Sequence, residues 1–357
     1  MEFIYLQKKM KIKEKFNISL DKFIYLALYD KNFGYYMKKN PFGKKGDFTT
    51  APNISKLFSE TIAIWIISFW KSIGSPSNFN LIELGAGNGE MMKDMLESFK
   101  KFPSFLQSSN IFIHEKSPGL IKIQKKKLKK SKIIWLSNFT NLKKKPSLFI
   151  ANEFFDSIPI KQFIKINKKW YERFVNIQNK NNAFFFDKEI DMENYEKKIK
   201  LKISKNQNFI EFSEMGAHNL TIISNFIKEN QGGFLIIDYG YFHEKMKNTL
   251  QAISNKNFSH VLKKIGDSDI THLINFNLFS NIVNKIGELN SITTTQGSFL
   301  TKMGINQRAE IVSKNLTFLR KADLYYRLKR LMDDKQMGTL FKVMLIKNKK
   351  NKFNLGF

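Results

Sequence analysis

The sharpest chemical signal in this chain is Glu83-Leu84-Gly85-Ala86-Gly87-Asn88-Gly89. Glycines at alternate positions let a backbone approach a ligand closely, and a helix starting just beyond them offers free N–H groups. The dinucleotide fingerprint would need a glycine at position 90, which is Glu90. An acid two residues before the first glycine does not favour a diphosphate. It suits a cationic or zwitterionic ligand.

Two more sets of residues stand where such a ligand would need them. Glu115 follows the apolar stretch Ile111-Phe112-Ile113-His114. Nucleotide-binding βαβ folds commonly place a ribose-binding acid at the end of the second strand. Asn152-Glu153-Phe154-Phe155-Asp156-Ser157-Ile158-Pro159 follows another apolar run. Paired carboxylates there, Glu153 and Asp156, can grip a guanidinium through paired hydrogen bonds and accept its proton. Asn152 stands beside them. Asp238, ending the run Phe234–Asp238, can shape a pocket floor or orient a loop.

The surrounding elements must bring these residues to one edge. Short apolar runs at Phe79–Leu84, Ile111–Ile113, Ile133–Leu136, Leu148–Ala151 and Phe234–Asp238 read as strands. Helical stretches alternate with them: Glu90–Phe99, then Leu120–Lys130, whose Leu120, Ile121, Gln124 and Leu128 share a face. Ile292–Thr295 and Leu340–Ile346 read as the last two strands, with Arg308–Met332 helical between them and Leu278–Ile286 helical before. This alternation predicts an α/β fold with a mostly parallel sheet, and ligands bind beyond the carboxyl ends of such strands.

Before the sheet, residues 17–32 and Ile54–Trp70 read as helices, separated by a loop-like Phe33–Pro52. A helical N-terminal cap and lid over 1–75 and a core over 76–357 are expected. Two insertions interrupt the core. Phe163–Phe186, within an insertion at about 160–212, alternates as several short strands. Tyr241–Phe276, within one at about 241–290, reads as a polar loop with short helices.

Taken in order, these motifs resemble the MidA group of class I S-adenosylmethionine-dependent methyltransferases over Leu20 to Ile346. Phe33-Gly34-Tyr35-Tyr36 and Gly46-Asp47-Phe48-Thr49-Thr50-Ala51-Pro52 are similar to its N-terminal signatures. The glycine segment, Asn152–Pro159, Ile236–Gly240 and Asp269-Ile270-Thr271 match its next blocks. Thr295–Leu300 and Met337–Lys342 match its C-terminal ones. The chain departs from the pattern at Asn53, where the group has Glu, and at Ala86 and Asn88, where it has Pro and Arg. After Asp269-Ile270-Thr271 it reads His272-Leu273-Ile274-Asn275-Phe276 in place of A-H-V-D-F.

The resemblance implies a Rossmann-like, seven-stranded fold with S-adenosyl-L-methionine as cofactor. Gly85, Gly87 and Gly89 would shape the cofactor loop, Glu83 would hold the methionine end and Glu115 the ribose. Gly46–Pro52 would fold over the site, with Asp47 and Thr50 at the ligand. Asn152, Glu153 and Asp156 would serve the methyl acceptor. Mitochondrial members of the group methylate an arginine on a core subunit of respiratory complex I and assist its assembly, so a protein substrate of that kind is implied.

Composition narrows the alternatives. Sixty Lys and Arg against 31 Asp and Glu give a net charge of +29, which invites a nucleic-acid reading. Only five of these are arginines, the residue whose planar fork dominates base and phosphate recognition, and the lysines are spread along the chain. An RNA methyltransferase is therefore the second reading. A non-catalytic assembly factor that binds the cofactor is the third. The absence of cysteine excludes disulfides, thiolate metal sites and thiol nucleophiles. The longest apolar run, Thr61–Trp70, falls short of the roughly 20 residues a membrane span needs. The first 20 residues lack Arg and contain Glu2 and Glu14, unlike a transit peptide. A cytoplasmic protein is expected, or a mitochondrial matrix one in a eukaryote.

Overall fold

The computed structural model describes residues 16–38, 50–139, 142–179 and 182–357. By contacts the chain separates into two units. The first takes the described parts of 1–41, 155–219 and 243–275, and the second those of 42–154, 220–242 and 276–357.

The second unit is built on seven strands: β1 (Phe79–Leu84), β2 (Ser109–His114), β3 (Ile133–Leu136), β4 (Ser147–Asn152), β5 (Gly232–Tyr241), β6 (Leu289–Thr295) and β7 (Phe341–Asn348). They lie in the order β6-β7-β5-β4-β1-β2-β3. The neighbours from β5 to β3 pair in parallel, whereas β7 pairs antiparallel with both β5 and β6. This is the expected α/β, Rossmann-like methyltransferase sheet. Every residue of β1 and β4 is buried, which explains their mostly apolar character, broken by Asn80 and Glu83 in β1 and by Ser147 and Asn152 at the ends of β4: both faces of a parallel sheet are covered by helices. Leu84 lies opposite His114 of β2 and Ala151 of β4, so Glu83, Glu115 and Asn152 share one edge.

Three helices matter for that edge: α1 (Lys56–Ser72), α2 (Glu90–Phe99) and α3 (Pro118–Lys127). Ser55 caps α1, its hydroxyl accepting from the Leu57 amide at 3.3 Å. α1 buries Phe58, Trp65 and Phe69 and packs against α2. Burial of each such side chain contributes about 1.5–3 kcal/mol.

The first unit is mostly antiparallel. Its larger sheet runs Phe16–Ser19, Lys169–Asn179, Lys161–Ile166, Phe209–Phe212, and Asn182–Ile190 pairs with Lys169–Asn179. A second sheet joins Asn257–Ser259, Gln251–Ser254 and Asp269–Thr271.

Three expected elements differ. The polar stretch after Tyr241 forms this small sheet instead of short helices. Its strands have three or four residues, too few to show period-two alternation in sequence, although Gln251–Ser254 does alternate in burial. Residues 16–19 pair as a strand with a partner far along the chain, and the helix begins at Leu20. The single helix expected over 308–332 is two, Ile305–Ser313 and Phe318–Met332, because Thr317 starts the second.

Candidate active site

The glycine loop closes the end of β1. The Gly85 amide donates to the His114 carbonyl at 2.8 Å, which ties the loop to β2. Gly85, Gly87 and Gly89 have φ of 65°, 53° and 75°, a left-handed backbone that side chains resist. Gly85 is also crowded: a Cβ there would stand 2.8 Å from Phe154 Cδ2. Gly89 leads directly into α2.

Glu83 is buried, only 2% exposed, and its Oε2 has no hydrogen-bond partner among the described residues. Burial, with the nearby Glu115 adding to it, pushes its carboxyl up to about 8. An orphaned carboxylate oxygen beside a glycine loop fits a ligand carrying an ammonium group. The donor set therefore accepts the methionine end of S-adenosylmethionine. Glu115 stands at the end of β2. Its Oε1 accepts the amides of Lys116 and Ser117 at 2.9 and 3.0 Å, and its Oε2 accepts Gln124 Nε2 at 3.1 Å. Burial raises its pKa and these bonds lower it, with burial the larger effect.

The chain leaves β4 through a sharp corner. Glu153 has φ 52°, an unusual conformation for a residue with a side chain. Its amide donates to the Ile237 carbonyl at 2.9 Å. Its Oε1 accepts from Asn152 Nδ2 at 3.2 Å and from the Ala51 amide at 3.4 Å. Asn152 Oδ1 is buried without a partner. Asp238, fully buried on β5, accepts the Phe154 amide at 3.2 Å through Oδ2 and the Tyr239 amide at 2.9 Å through Oδ1. Asp238 therefore orients the loop after β4, one of the two roles its position allowed.

Of the residues expected at the site, Glu83, Gly85, Gly87, Gly89, Glu115, Thr50, Asn152 and Glu153 all belong to the second unit. Asp156 belongs to the first. There it is 6% exposed, and its backbone carbonyl accepts the His272 amide at 3.0 Å. In the same unit Tyr36 donates to both oxygens of Asp269, at 2.9 and 3.1 Å, so the Phe33–Tyr36 and Asp269–Thr271 segments meet. Burial and the charges of Asp269, Tyr29 and Asp156 raise the Tyr36 phenol well above its ordinary range. Asp47 lies outside the described residues.

Thr50 Oγ1 accepts from Asn53 Nδ2 at 2.7 Å, and Asn53 Oδ1 accepts from Asn88 Nδ2 at 3.1 Å. Asn88 Oδ1 in turn accepts the Glu90 amide at 3.1 Å. Two positions at which the sequence departs from the group's pattern thus contact each other. An amide pair keeps Thr50 linked to the cofactor loop. Asn275, another departure, is buried in the first unit.

One residue of the site went unread in the sequence. Gln124 looked like part of the packing face of α3. It is fully buried, and its Nε2 reaches both the Gly87 carbonyl at 2.8 Å and Glu115. The available signal was a polar residue on an otherwise apolar helical face.

Known proteins bear on this arrangement. A family model of S-adenosyl-L-methionine-dependent methyltransferases matches residues 61–295. Protein arginine methyltransferase NDUFAF7, mitochondrial, of Xenopus laevis is 30% identical over 362 residues, 93% of this chain and 81% of that one. The Homo sapiens protein of the same name is 28% identical over 371 residues, 93% of this chain and 80% of that one. A solved structure of a protein from Burkholderia thailandensis, bound to S-adenosyl-homocysteine, has the same fold. Its TM-score is 0.81 at 20% identity, covering 99% of this chain and 93% of that one.

Proposed function

Because the chain belongs to the S-adenosyl-L-methionine-dependent methyltransferase family, we propose that it methylates an arginine of a protein substrate, with a respiratory complex I subunit as the first candidate. The cofactor side rests on the buried, unpartnered Glu83 Oε2 beside three left-handed glycines. The acceptor side rests on Glu153, a carboxylate held at the strained end of β4, and on relatives named protein arginine methyltransferase.

Bound at this loop, S-adenosylmethionine supplies an electrophilic methyl group. Glu83 would hold the ammonium and Glu115 a ribose hydroxyl. Glu153 and Asn152 would accept N–H bonds from the guanidinium and so aim one nitrogen. Glu153 would take the proton that this nitrogen releases as the new C–N bond forms. In-line transfer of this kind depends mainly on positioning. Asp47 and Thr50 would complete the cofactor site. The mitochondrial names of the relatives support a mitochondrial location in a eukaryotic source. Among the described residues no helix is long and apolar enough to cross a membrane.

The test uses purified protein, methyl-labelled S-adenosylmethionine and an extract of cells lacking the gene, split into protein and RNA. Label on arginine in one protein band, lost in Gly87→Val and Glu153→Ala, is expected. Label in RNA would move the basic surface into the mechanism. Cofactor binding by calorimetry with no label in either fraction would replace catalysis with an assembly role.

A further inference from the structure

Gln124 sits on α3, whose neighbours Lys122, Lys125 and Lys126 are solvated, yet it is fully buried. Its side chain meets three other parts of the second unit. Nε2 donates to the Gly87 carbonyl at 2.8 Å and to Glu115 Oε2 at 3.1 Å, and Oε1 accepts from Trp135 Nε1 on β3 at 2.9 Å. An indole N–H only donates, so Trp135 fixes which end of the amide faces inward. Both amide hydrogens are then spent on acceptors 37 and 9 residues away in sequence. The stem also leaves little room beside the loop, because a Cβ on Gly89 would lie 3.4 Å from Gln124 Cγ.

An apolar side chain could fill this space. It could not donate to the loop and the carboxylate at once. Two backbone amides already occupy Glu115 Oε1, whereas among the described residues Oε2 accepts one bond, from Gln124. A carboxylate oxygen has two acceptor directions, so Oε2 keeps one for a ligand hydroxyl, and Gln124 determines where it points.

We propose that Gln124 is a positioning residue that sets the Glu115 carboxylate against the glycine loop and thereby decides recognition of the cofactor's ribose. The proposal rests on the reading that Glu115 binds the ribose. It predicts that the cofactor's ribose is read by a three-part assembly and not by Glu115 alone.

Calorimetry with S-adenosylhomocysteine and its 2′,3′-dideoxyribose analogue tests it. The unaltered protein should prefer the natural ribose by about tenfold or more, the worth of one or two hydrogen bonds to a carboxylate. Glu115→Gln should reduce that ratio towards one. Gln124→Met, which keeps volume and removes both donors, should reduce it as far, and combining the two should bring no further loss. General damage to the fold would weaken both ligands equally and leave the ratio intact. Should Gln124→Met fail to fold, Gln124→Glu keeps the acceptor for Trp135 while reversing the polarity towards Glu115, and the same collapse is expected. A preserved ratio in either folded Gln124 variant, with the ratio lost in Glu115→Gln, overturns the proposal alone. A preserved ratio in Glu115→Gln overturns the ribose reading and this proposal with it.

Discussion

Asn88 donates a hydrogen bond to Asn53 across 3.1 Å, joining the cofactor loop to the short helix Ala51–Ile54. The two residues stand 35 positions apart and both depart from the pattern the chain otherwise follows. If the bond carries energy, Asn53→Ala and Asn88→Ala should each weaken S-adenosylhomocysteine binding severalfold. A double-mutant cycle should return a coupling of about 1 kcal/mol. Strict additivity would show that the contact holds nothing together.

Gly85 meets Phe154 so closely that Gly85→Ala should be poorly tolerated. The backbone strain of a left-handed alanine costs about 1 kcal/mol, and the clash with the ring adds to it. Cofactor affinity should fall at least tenfold. Adding Phe154→Ala should recover the part due to the clash and not the part due to φ. A melting curve and a binding isotherm for the pair separate the two.

Glu83 should make the ligand-free protein less stable as pH rises. Burial pushes its folded pKa up to about 8, above the ordinary 4.5 of a glutamate, so the folded chain holds a proton that the unfolded chain releases between those values. The contribution is complete below pH 4.5 and is lost as pH rises through 8, at up to about 1.4 kcal/mol per unit. Glu83→Gln should flatten denaturant-derived stability over that window. The ammonium of a zwitterionic ligand pairs best with an ionised carboxylate, so S-adenosylhomocysteine should bind more tightly as pH rises towards 8. Identical slopes for both proteins would remove Glu83 from the account.

Glu153 occupies a conformation that glycine adopts freely. Glu153→Gly should leave the melting temperature unchanged or raise it, by the equivalent of up to about 1 kcal/mol. Methyl transfer should fall by about 100-fold or more if the carboxylate holds and deprotonates the acceptor. Lost activity with lost stability would mark Glu153 as a structural residue.

Asp238 holds the Phe154 amide and with it the corner carrying Glu153. Asp238→Ala should lower kcat by about tenfold or more through misplacement of that corner, with a smaller change in cofactor Kd. Equal losses in both would place Asp238 in the cofactor site itself.

Much of this was legible in the sequence. Phe79–Leu84 followed by alternate glycines marks a strand, a turn and a helix within a dozen residues, because each preference there is local. The parallel sheet followed from apolar runs alternating with helices. Residues 155–219 and 243–275, which belong to the first unit, break that alternation in sequence, although the short strands after Tyr241 were too brief to read. The residues at or near the carboxyl ends of strands, Glu83, Glu115, Asn152, Glu153 and Asp238, could be named because the carboxyl edge of such a sheet is where ligands bind.

What the sequence determined by itself, then, was which residues reach the site's edge, since strand ends and turn chemistry are set by short-range pattern. Only the tertiary structure decided what those residues do to one another. It left Glu83 Oε2 buried without a partner, turned Gln124 from a packing residue into a double donor, set Asn53 against Asn88, and put Asp238 under the Phe154 amide 84 residues away. Hydrogen bonding and desolvation act through space between segments whose separation along the chain carries no periodic signal. Their consequences appear only once the sheet has folded.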